Sequence, residues 1–362
     1  MKRKKIFKRI LCALLCAVLA VVVIVGGYVV YLFASYDRLE DNLALNVRDG
    51  SSQTIPAGEP LSIVTWNLGF GAYSADYSFF MDGGTESRAR SSEAVYENIG
   101  GAIEKLQALH ADLMLLQEID VEATRSHRID ESALILDQFD GMDAVFSQNY
   151  DSAYLFYPLN EPHGASRAGL LTLADADIQS ALRRSLPVES GIVKFFDLDR
   201  CYSVSEIPVD NGKTLYLINL HLSAYTSDGT ISAKQFMILL NDMALLSAEG
   251  DYVIAGGDFN KDLLGNSPEV FGVSGADYTW AQPLPVSWIP DQLSLVSSLD
   301  EDHPVPSCRN ADKPYAPGES FVLIVDGFIV SDNVQVISAQ VEDEGFAFSD
   351  HNPVSMQFLL AE

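Results

Sequence analysis

Apolar positions fall into three regimes along this chain. From Ile10 to Ala34 they run on without a single charge, ILCALLCAVLAVVVIVGGYVVYLFA. At ~1.5 Å per residue such a helix is long enough for a hydrocarbon layer of ~30 Å, so the run predicts one transmembrane helix over residues 10–34. The next stretch, SYDRLEDNLALNVRDGSSQTIPAGEP, is polar and closes in Gly and Pro, which predicts a linker over residues 35–60. From Leu61 to the end, residues 61–362, short apolar runs alternate with helical periodicity. Strands are predicted at Leu61–Trp66, Asp112–Gln117, Ala168–Leu173, Cys201–Pro208, Thr214–Leu222, Asp251–Ala255, Ser320–Val330, Val334–Val341 and Pro353–Leu360. Val95, Ile99, Ala102, Ile103, Leu106 and Leu109 recur at three and four residues and predict a helix over Ser92–His110. Ser91 or Ser92 suits its cap and Glu93 its positive first turn. Phe236, Leu239, Leu240, Met243 and Leu246 predict a second helix over Ile231–Ser247. Many strands with few helices imply sheets packed together with helices outside, an α+β layered domain. No later Gly/Ser-rich break is long enough to divide it. Asp262–Ala316, rich in Pro, Trp and Ser, reads as one long irregular segment, and loops of that length are usually functional or covering.

Charge refines the picture at both ends. Lys2, Arg3, Lys4, Lys5, Lys8 and Arg9 precede the apolar run, so residues 1–9 are expected in the cytoplasm and the domain on the other side of the membrane. A cleaved signal has an apolar core of only ~7–15 residues and a small-residue site after it; neither is recognisable here, which favours a retained single-pass anchor in the cell membrane. The remaining 17 of the 23 basic residues stand against all 50 acids, a formal charge of −33 outside the first segment. That surplus repels polyanions at long range and argues against non-specific nucleic-acid binding. Cys12 and Cys16 belong to the apolar run. Cys201 and Cys308 remain, open between a pair and two thiols.

Polar residues gather at the ends of the apolar runs. LSIVTW is followed by Asn67, DLMLLQ by Glu118, TLYLINL by His221, DYVIAGG by Asp258 with Asn260 two residues on, and SFVLIV by Asp326; Asp350 and His351 precede the last strand. Alone, each is an ordinary turn or solvated residue. Together, on strands lying side by side, they form one rim. Carboxylate and amide oxygens favour a hard divalent ion, Mg²⁺ or else Mn²⁺, over Zn²⁺. No HExxH, CxxC, GxSxG, P-loop or GxGxxG occurs. A hard ion with two histidines suits phosphate-ester hydrolysis.

The stretches TWNLGFG, LLQEID, INLHLSAY, AGGDFNKD, IVDGFIV and FSDHNPV occur in this order between Leu61 and Leu360. As a set they resemble the endonuclease/exonuclease/phosphatase family, the DNase I-like fold; the segment around Arg167 departs from the family form at Ala174-Asp175-Ala176. The resemblance implies a four-layer α/β-β/α sandwich with the active site at one end of its two sheets. It implies Glu118 as principal metal ligand, with Asn67 and Asp350; Asp258 orienting or activating water; Asn260 holding the phosphate; His221 binding a phosphoryl oxygen or serving as acid; and His351, oriented by Asp326, binding the phosphate or acting as base. For both the histidine and the carboxylate to reach one phosphate, the segment Ser349–His351 is expected to be a turn. The implied activity is a Mg²⁺-dependent phosphoesterase, expected as a monomer. Tethering favours a lipid headgroup or small phosphodiester as substrate. A cell-surface nuclease and a catalytically inactive binding domain are the other readings. The aromatic loop Gly69–Gly84 is open between lining the cleft, touching the membrane and packing on its own domain.

Overall fold

The computed structural model describes residues 2–191, 194–197, 199–224, 229–275 and 278–362; Tyr225, the end of INLHLSAY, lies outside them. Two compact units form, Met1–Arg38 and Leu39–Glu362. The first is a helix, Lys2–Ser35, long and apolar enough to cross a membrane.

The second unit is built on two seven-stranded sheets. Its strands are β1 (Leu43–Ala44), β2 (Val47–Arg48), β3 (Leu61–Asn67), β4 (Leu113–Ala123), β5 (Asp143–Asp151), β6 (Ser166–Ala174), β7 (Ser180–Ser185), β8 (Cys201–Pro208), β9 (Thr214–His221), β10 (Tyr252–Asp258), β11 (Leu293–Leu295), β12 (Cys308–Arg309), β13 (Val322–Leu323), β14 (Asp326–Ser331), β15 (Val334–Val341) and β16 (Val354–Leu360). One sheet runs β15-β16-β3-β4-β6-β5-β2 and the other β1-β7-β8-β9-β10-β14-β11, while β12 and β13 form a separate ribbon. Each large sheet has one parallel pair, β3 with β4 and β9 with β10. A parallel pair needs a crossover, and the two predicted helices supply it. Ser92–Leu109 joins β3 to β4, with Ser91 Oγ accepting from Ala94 N at 3.2 Å as its N-cap; Thr230–Leu246 joins β9 to β10.

The strands are apolar on both faces, as buried central strands must be. In the first sheet Val64, Trp66, Met114 and Leu116 pack under the Ser92–Leu109 helix with Val95, Ile99, Ala102 and Leu106. Ile63, Leu113 and Leu115 face the other way, into the core between the sheets with Leu217, Ile254 and Phe328. The outcome is the helix–sheet–sheet–helix sandwich. Gly256 leaves room for the facing sheet: a Cβ there would lie 2.8 Å from Leu115 Cδ1.

Three expectations are corrected. The segment read as a linker is fastened from Leu39 onward; β1 and β2 add an edge strand to each sheet and Ile55 is in the core, because its few apolar residues extend sheets that already exist. Ser320–Val330 is not one strand. Ser307 Oγ accepts from both Val325 N (2.9 Å) and Asp326 N (3.1 Å), taking backbone donors from any ladder, so β13 stops at Leu323 and β14 starts at Asp326. Asp326 therefore opens a strand rather than closing one. The segment Asp262–Ala316 carries short elements, Ser267–Phe271, Val286–Trp288, β11 and β12.

Candidate active site

Period-two geometry carries the rim into the space between the sheets. Thr65 and Asn67, Leu115 and Gln117, Asn219 and His221, and Gly256 and Asp258 each lie two apart on one strand face. Just behind the rim, Gln117 Nε2 donates to Asn219 Oδ1 at 2.9 Å, and Asn219 Nδ2 to Leu116 O at 3.2 Å and Leu171 O at 3.1 Å, tying the sheets together. The parallel pairs end here: Asn67 opposite Gln117, His221 opposite Asp258. Antiparallel partners begin here, so Asp326 stands opposite Asp258 and the segment before β16 arrives beside Asn67. Strand ends and strand starts thus meet at one place.

Glu118 reaches the site through a break in register. β4 pairs Leu116 with Leu171 and then Ile119 with Gly169, and Glu118 adopts φ +55° in the bulge between them. A bulge of this kind re-aims a side chain. Asn67 Nδ2 donates to Asp258 Oδ2 at 3.1 Å and Glu118 Oε1 at 3.3 Å, while its Oδ1 accepts from Gly69 N at 3.0 Å. In this arrangement Asn67 braces two carboxylates. Asp258 Oδ1 accepts from Asn260 N at 2.8 Å; Asn260, at φ +49°, donates its amide to Leu222 O at 2.8 Å.

The segment Phe348–Asp350 is a bend, not a strand, with His351 bridging to Cys308. His351 Nδ1 lies 2.8 Å from Asp326 Oδ2, which also accepts from Ser307 Oγ at 2.8 Å; Asp326 Oδ1 is buried without a hydrogen-bond partner among the described residues. The other ring nitrogen, Nε2, faces Cys308 Sγ at 3.6 Å and Asp258 Oδ2 at 3.9 Å. Trp66 Nε1 donates to the His351 carbonyl at 2.8 Å. Asp350 approaches across Gly69, whose missing Cβ would stand 3.1 Å from Asp350 Oδ1. His221 Nε2 lies 3.4 Å from Asp258 Oδ2.

Burial sets the charge states. It pushes the Asp258 carboxyl up to about 7, with Asp326 adding to the rise against His351, and the Asp350 carboxyl up to about 6, with Glu118 adding to it. It holds His221 well below its ordinary value, with Arg200 acting in the same direction. Burial also opposes charge on His351, but Asp326 outweighs it and raises that imidazole well above the usual range. A neutral and a cationic histidine therefore flank one acid that titrates near neutrality.

Glu118, Asp350 and Asp258 bring carboxylate oxygens, which suit a hard divalent cation, to this place. Asp258, Asp326 and His351 also bring ligand atoms within 4.8 Å of one another. Asp326 Oδ2 and His351 Nδ1 already pair with each other, however, which suits that pair to holding a proton and leaves Glu118 and Asp350 as carboxylates that could hold an ion.

These groups open into a pocket of about 390 Å³. Of its walls, only the aromatic loop Gly69–Gly84 was legible in the sequence. Arg125, Arg200 and Arg309 line it, with Phe70, Tyr73, Phe79, Tyr150, His163 and Trp280. The Arg125 guanidinium stacks 4.1 Å from the Phe70 ring centroid and donates to Asp120 from Nη2 at 2.9 Å and from Nε at 3.1 Å. Arg309 Nη2 donates to Ser74 O at 3.0 Å and Tyr77 O at 3.2 Å, pinning the aromatic loop. Gly69–Gly84 thus both packs into its own core and lines the pocket. Cys201 and Cys308 are separate thiols; burial pushes the Cys308 thiol up to about 12. Arg167 pairs with Glu122 at 3.0 Å and is absent from this pocket lining.

A family model described as Endonuclease/Exonuclease/phosphatase family matches residues 64–351. Among solved structures, the chain is similar to an endonuclease/exonuclease/phosphatase from Beutenbergia cavernae DSM 12333, with TM-score 0.56 and 16% identity over 83% of this chain and 72% of that one. It is similar to ANGEL2, a 2′,3′-cyclic phosphatase in complex with adenosine-2′,3′-vanadate, with TM-score 0.54 and 15% identity over 88% and 99%. It is also similar to an endonuclease/exonuclease/phosphatase from Bacteroides vulgatus, with TM-score 0.52 and 13% identity over 83% and 99%. At these identities the likeness is one of fold. No curated protein matches the chain.

Proposed function

This chain belongs to the endonuclease/exonuclease/phosphatase family, and on that footing we propose that it is a membrane-anchored, extracytoplasmic phosphoesterase dependent on Mg²⁺, acting on a lipid headgroup or other small phosphodiester. The convergence of Glu118, Asp350, Asp258, His221 and His351 on one pocket carries this reading. A volume of about 390 Å³ suits one small ester group.

Glu118 and Asp350 would hold the ion, with Asn67 bracing Glu118. When bound, a divalent ion polarises phosphoryl oxygens and stabilises the leaving oxygen. The protein supplies the proton inventory. Asp258, poised near neutrality, takes the proton of the attacking water. His351 keeps a proton because Asp326 faces its Nδ1, and donates from Nε2 to a phosphoryl oxygen. His221, neutral, orients Asp258 from the other side. Asn260 holds the Asp258 turn in place and offers its side chain to the phosphate. The aromatic lining favours a second reading, a nucleotide end stacked in the same pocket.

The test is turnover by the full chain in detergent with Mg²⁺ on bis-p-nitrophenyl phosphate, sphingomyelin, inositol phosphates and plasmid DNA. Cleavage of a small ester or lipid supports the first reading, and cleavage of DNA alone the second. Metal binding without turnover on any substrate would make this a binding domain.

A further inference from the structure

The loop between β5 and β6 carries an exposed apolar tip at the pocket end of the domain. Phe156 is 51%, Tyr157 69% and Leu159 84% exposed, and Leu159 is the most exposed large apolar residue among the described residues of the globular unit. The tip is held in place. Phe80 packs on Tyr157 at 5.7 Å between ring centroids, Leu155 and Gly164 bridge across the base, and Ser87 Oγ donates to Glu161 O at 2.5 Å. From there the chain passes directly to His163 in the pocket wall.

The chain also enters the domain at this end. Leu39 N donates to Asp199 Oδ2 at 3.1 Å, and Ser185 N donates to Asp41 Oδ1 at 2.8 Å. Arg183 joins that entry point to β5, donating from Nη2 to Asp199 O at 2.6 Å and from Nε to Gln148 O at 2.9 Å. β5 leads into the loop, its Tyr150 lines the pocket, and so does Arg200, the neighbour of Asp199. Only residues 36–38 lie between Ser35, the last residue of the apolar helix, and Leu39. Four such steps reach roughly 14 Å when fully extended.

We propose that the domain docks on the bilayer by this end, with Phe156, Tyr157 and Leu159 seated in the interface and the pocket opening among zwitterionic headgroups. The proposal rests on the reading of Ile10–Ala34 as a membrane span. A chain with a formal charge of −33 outside its first segment gains nothing from an anionic surface. No Lys or Arg lies between Arg128 and Arg167, so adhesion here falls to aromatic and aliphatic side chains, which the interface accepts. The pocket would then take its ester directly from the lipid surface.

The test uses the full chain reconstituted in phosphatidylcholine liposomes whose acyl chains are brominated. A tryptophan is placed at the tip (Leu159→Trp) or at the opposite end of the domain (Leu245→Trp), where the crossover helix has returned the chain to the start of β10. Leu245 is 72% exposed, so neither change disturbs the core. With the unsubstituted chain subtracted, bromine is expected to quench the tip tryptophan at least about twofold more than the distal one, since interfacial side chains sit ~5–10 Å deep. Equal quenching, or more at 245, overturns the docking while leaving the anchor intact. Shielding of the tip from aqueous iodide without bromine quenching would assign it to a second protein copy, and also overturns it. A chain that fails to float with liposomes overturns anchor and docking together.

Discussion

The floor and the wall of the pocket are made in opposite ways. The floor, Asn67, Glu118, His221, Asp258, Asp326, Asp350 and His351, comes from the ends and beginnings of central strands. Its groups crowd like charges into a buried space, so that burial and neighbouring carboxylates push Asp258 and Asp350 upward. The wall comes largely from loops and strand edges. There Arg125 meets Asp120, stacks on Phe70, and holds the chain together. The floor is maintained at a cost to the fold, whereas the wall supports it. Strained or uncompensated groups that persist in a packed domain mark the place where chemistry is done.

Substitutions should separate the two regions. His351→Ala is expected to lower turnover of bis-p-nitrophenyl phosphate by roughly 10²–10⁴-fold, the range for losing an acid–base group, and Glu118→Gln to lower it through loss of the ion, while the thermal midpoint of the metal-free Glu118→Gln protein stays level or rises. A fall in both would place the floor among structural elements. Arg125→Ala should behave the other way. It leaves the Asp120 carboxylate buried without its cation, a loss of about 3–5 kcal/mol in urea unfolding. Replacing the pair together, Arg125→Met with Asp120→Leu, should return most of that loss. Mg²⁺ should stabilise the unsubstituted chain by about 2.7 kcal/mol at a hundredfold excess over its dissociation constant, and Glu118→Gln should abolish the shift; an undiminished shift would move the ion elsewhere.

The smallest effect concerns His163. Burial holds this imidazole down to about 3, with Arg125 opposing its charge, while Nδ1 lies 2.7 Å from Ser87 O. Above pH 6.5 it is neutral folded or unfolded. As the pH falls below 6.5 the unfolded chain takes the proton first, so folding stability drops, by roughly 2 kcal/mol between pH 6.5 and 5. His163→Asn should flatten that part of the stability profile. If the acid slope is unchanged, the wall does not impose the neutral form.

The contrast also explains what could be read in advance. Asn67, Glu118, His221 and Asp258 were legible because each follows a largely apolar run, and a charged or amide residue there tends to emerge at a strand end. Asp326 was found for a partly wrong reason, since it opens β14 after Ser307 has ended the preceding strand. Gln117 carried a readable signal, a polar side chain on the inward phase of DLMLLQ, but its partner Asn219 lies in the other sheet. Arg125 and Arg309 had none. Each sits in a polar stretch, and only packing shows that one is stacked on Phe70 and the other clamps Ser74 and Tyr77. The supposed linker was misread because two-residue edge strands carry too few apolar positions to register as a period.

By itself, the sequence determined the apolar N-terminal helix, the two crossover helices, most central strands and the chemical types on the floor, because these follow from local periodicity and from where polar residues interrupt it. Tertiary structure decided which sheet each strand joined, the bulge that turns Glu118 toward Asp350, the Asp326–His351 pairing and the arginine-lined wall. Those depend on residues far apart in the chain being brought within hydrogen-bond reach, and on burial, which sets whether each buried acid and histidine carries its charge.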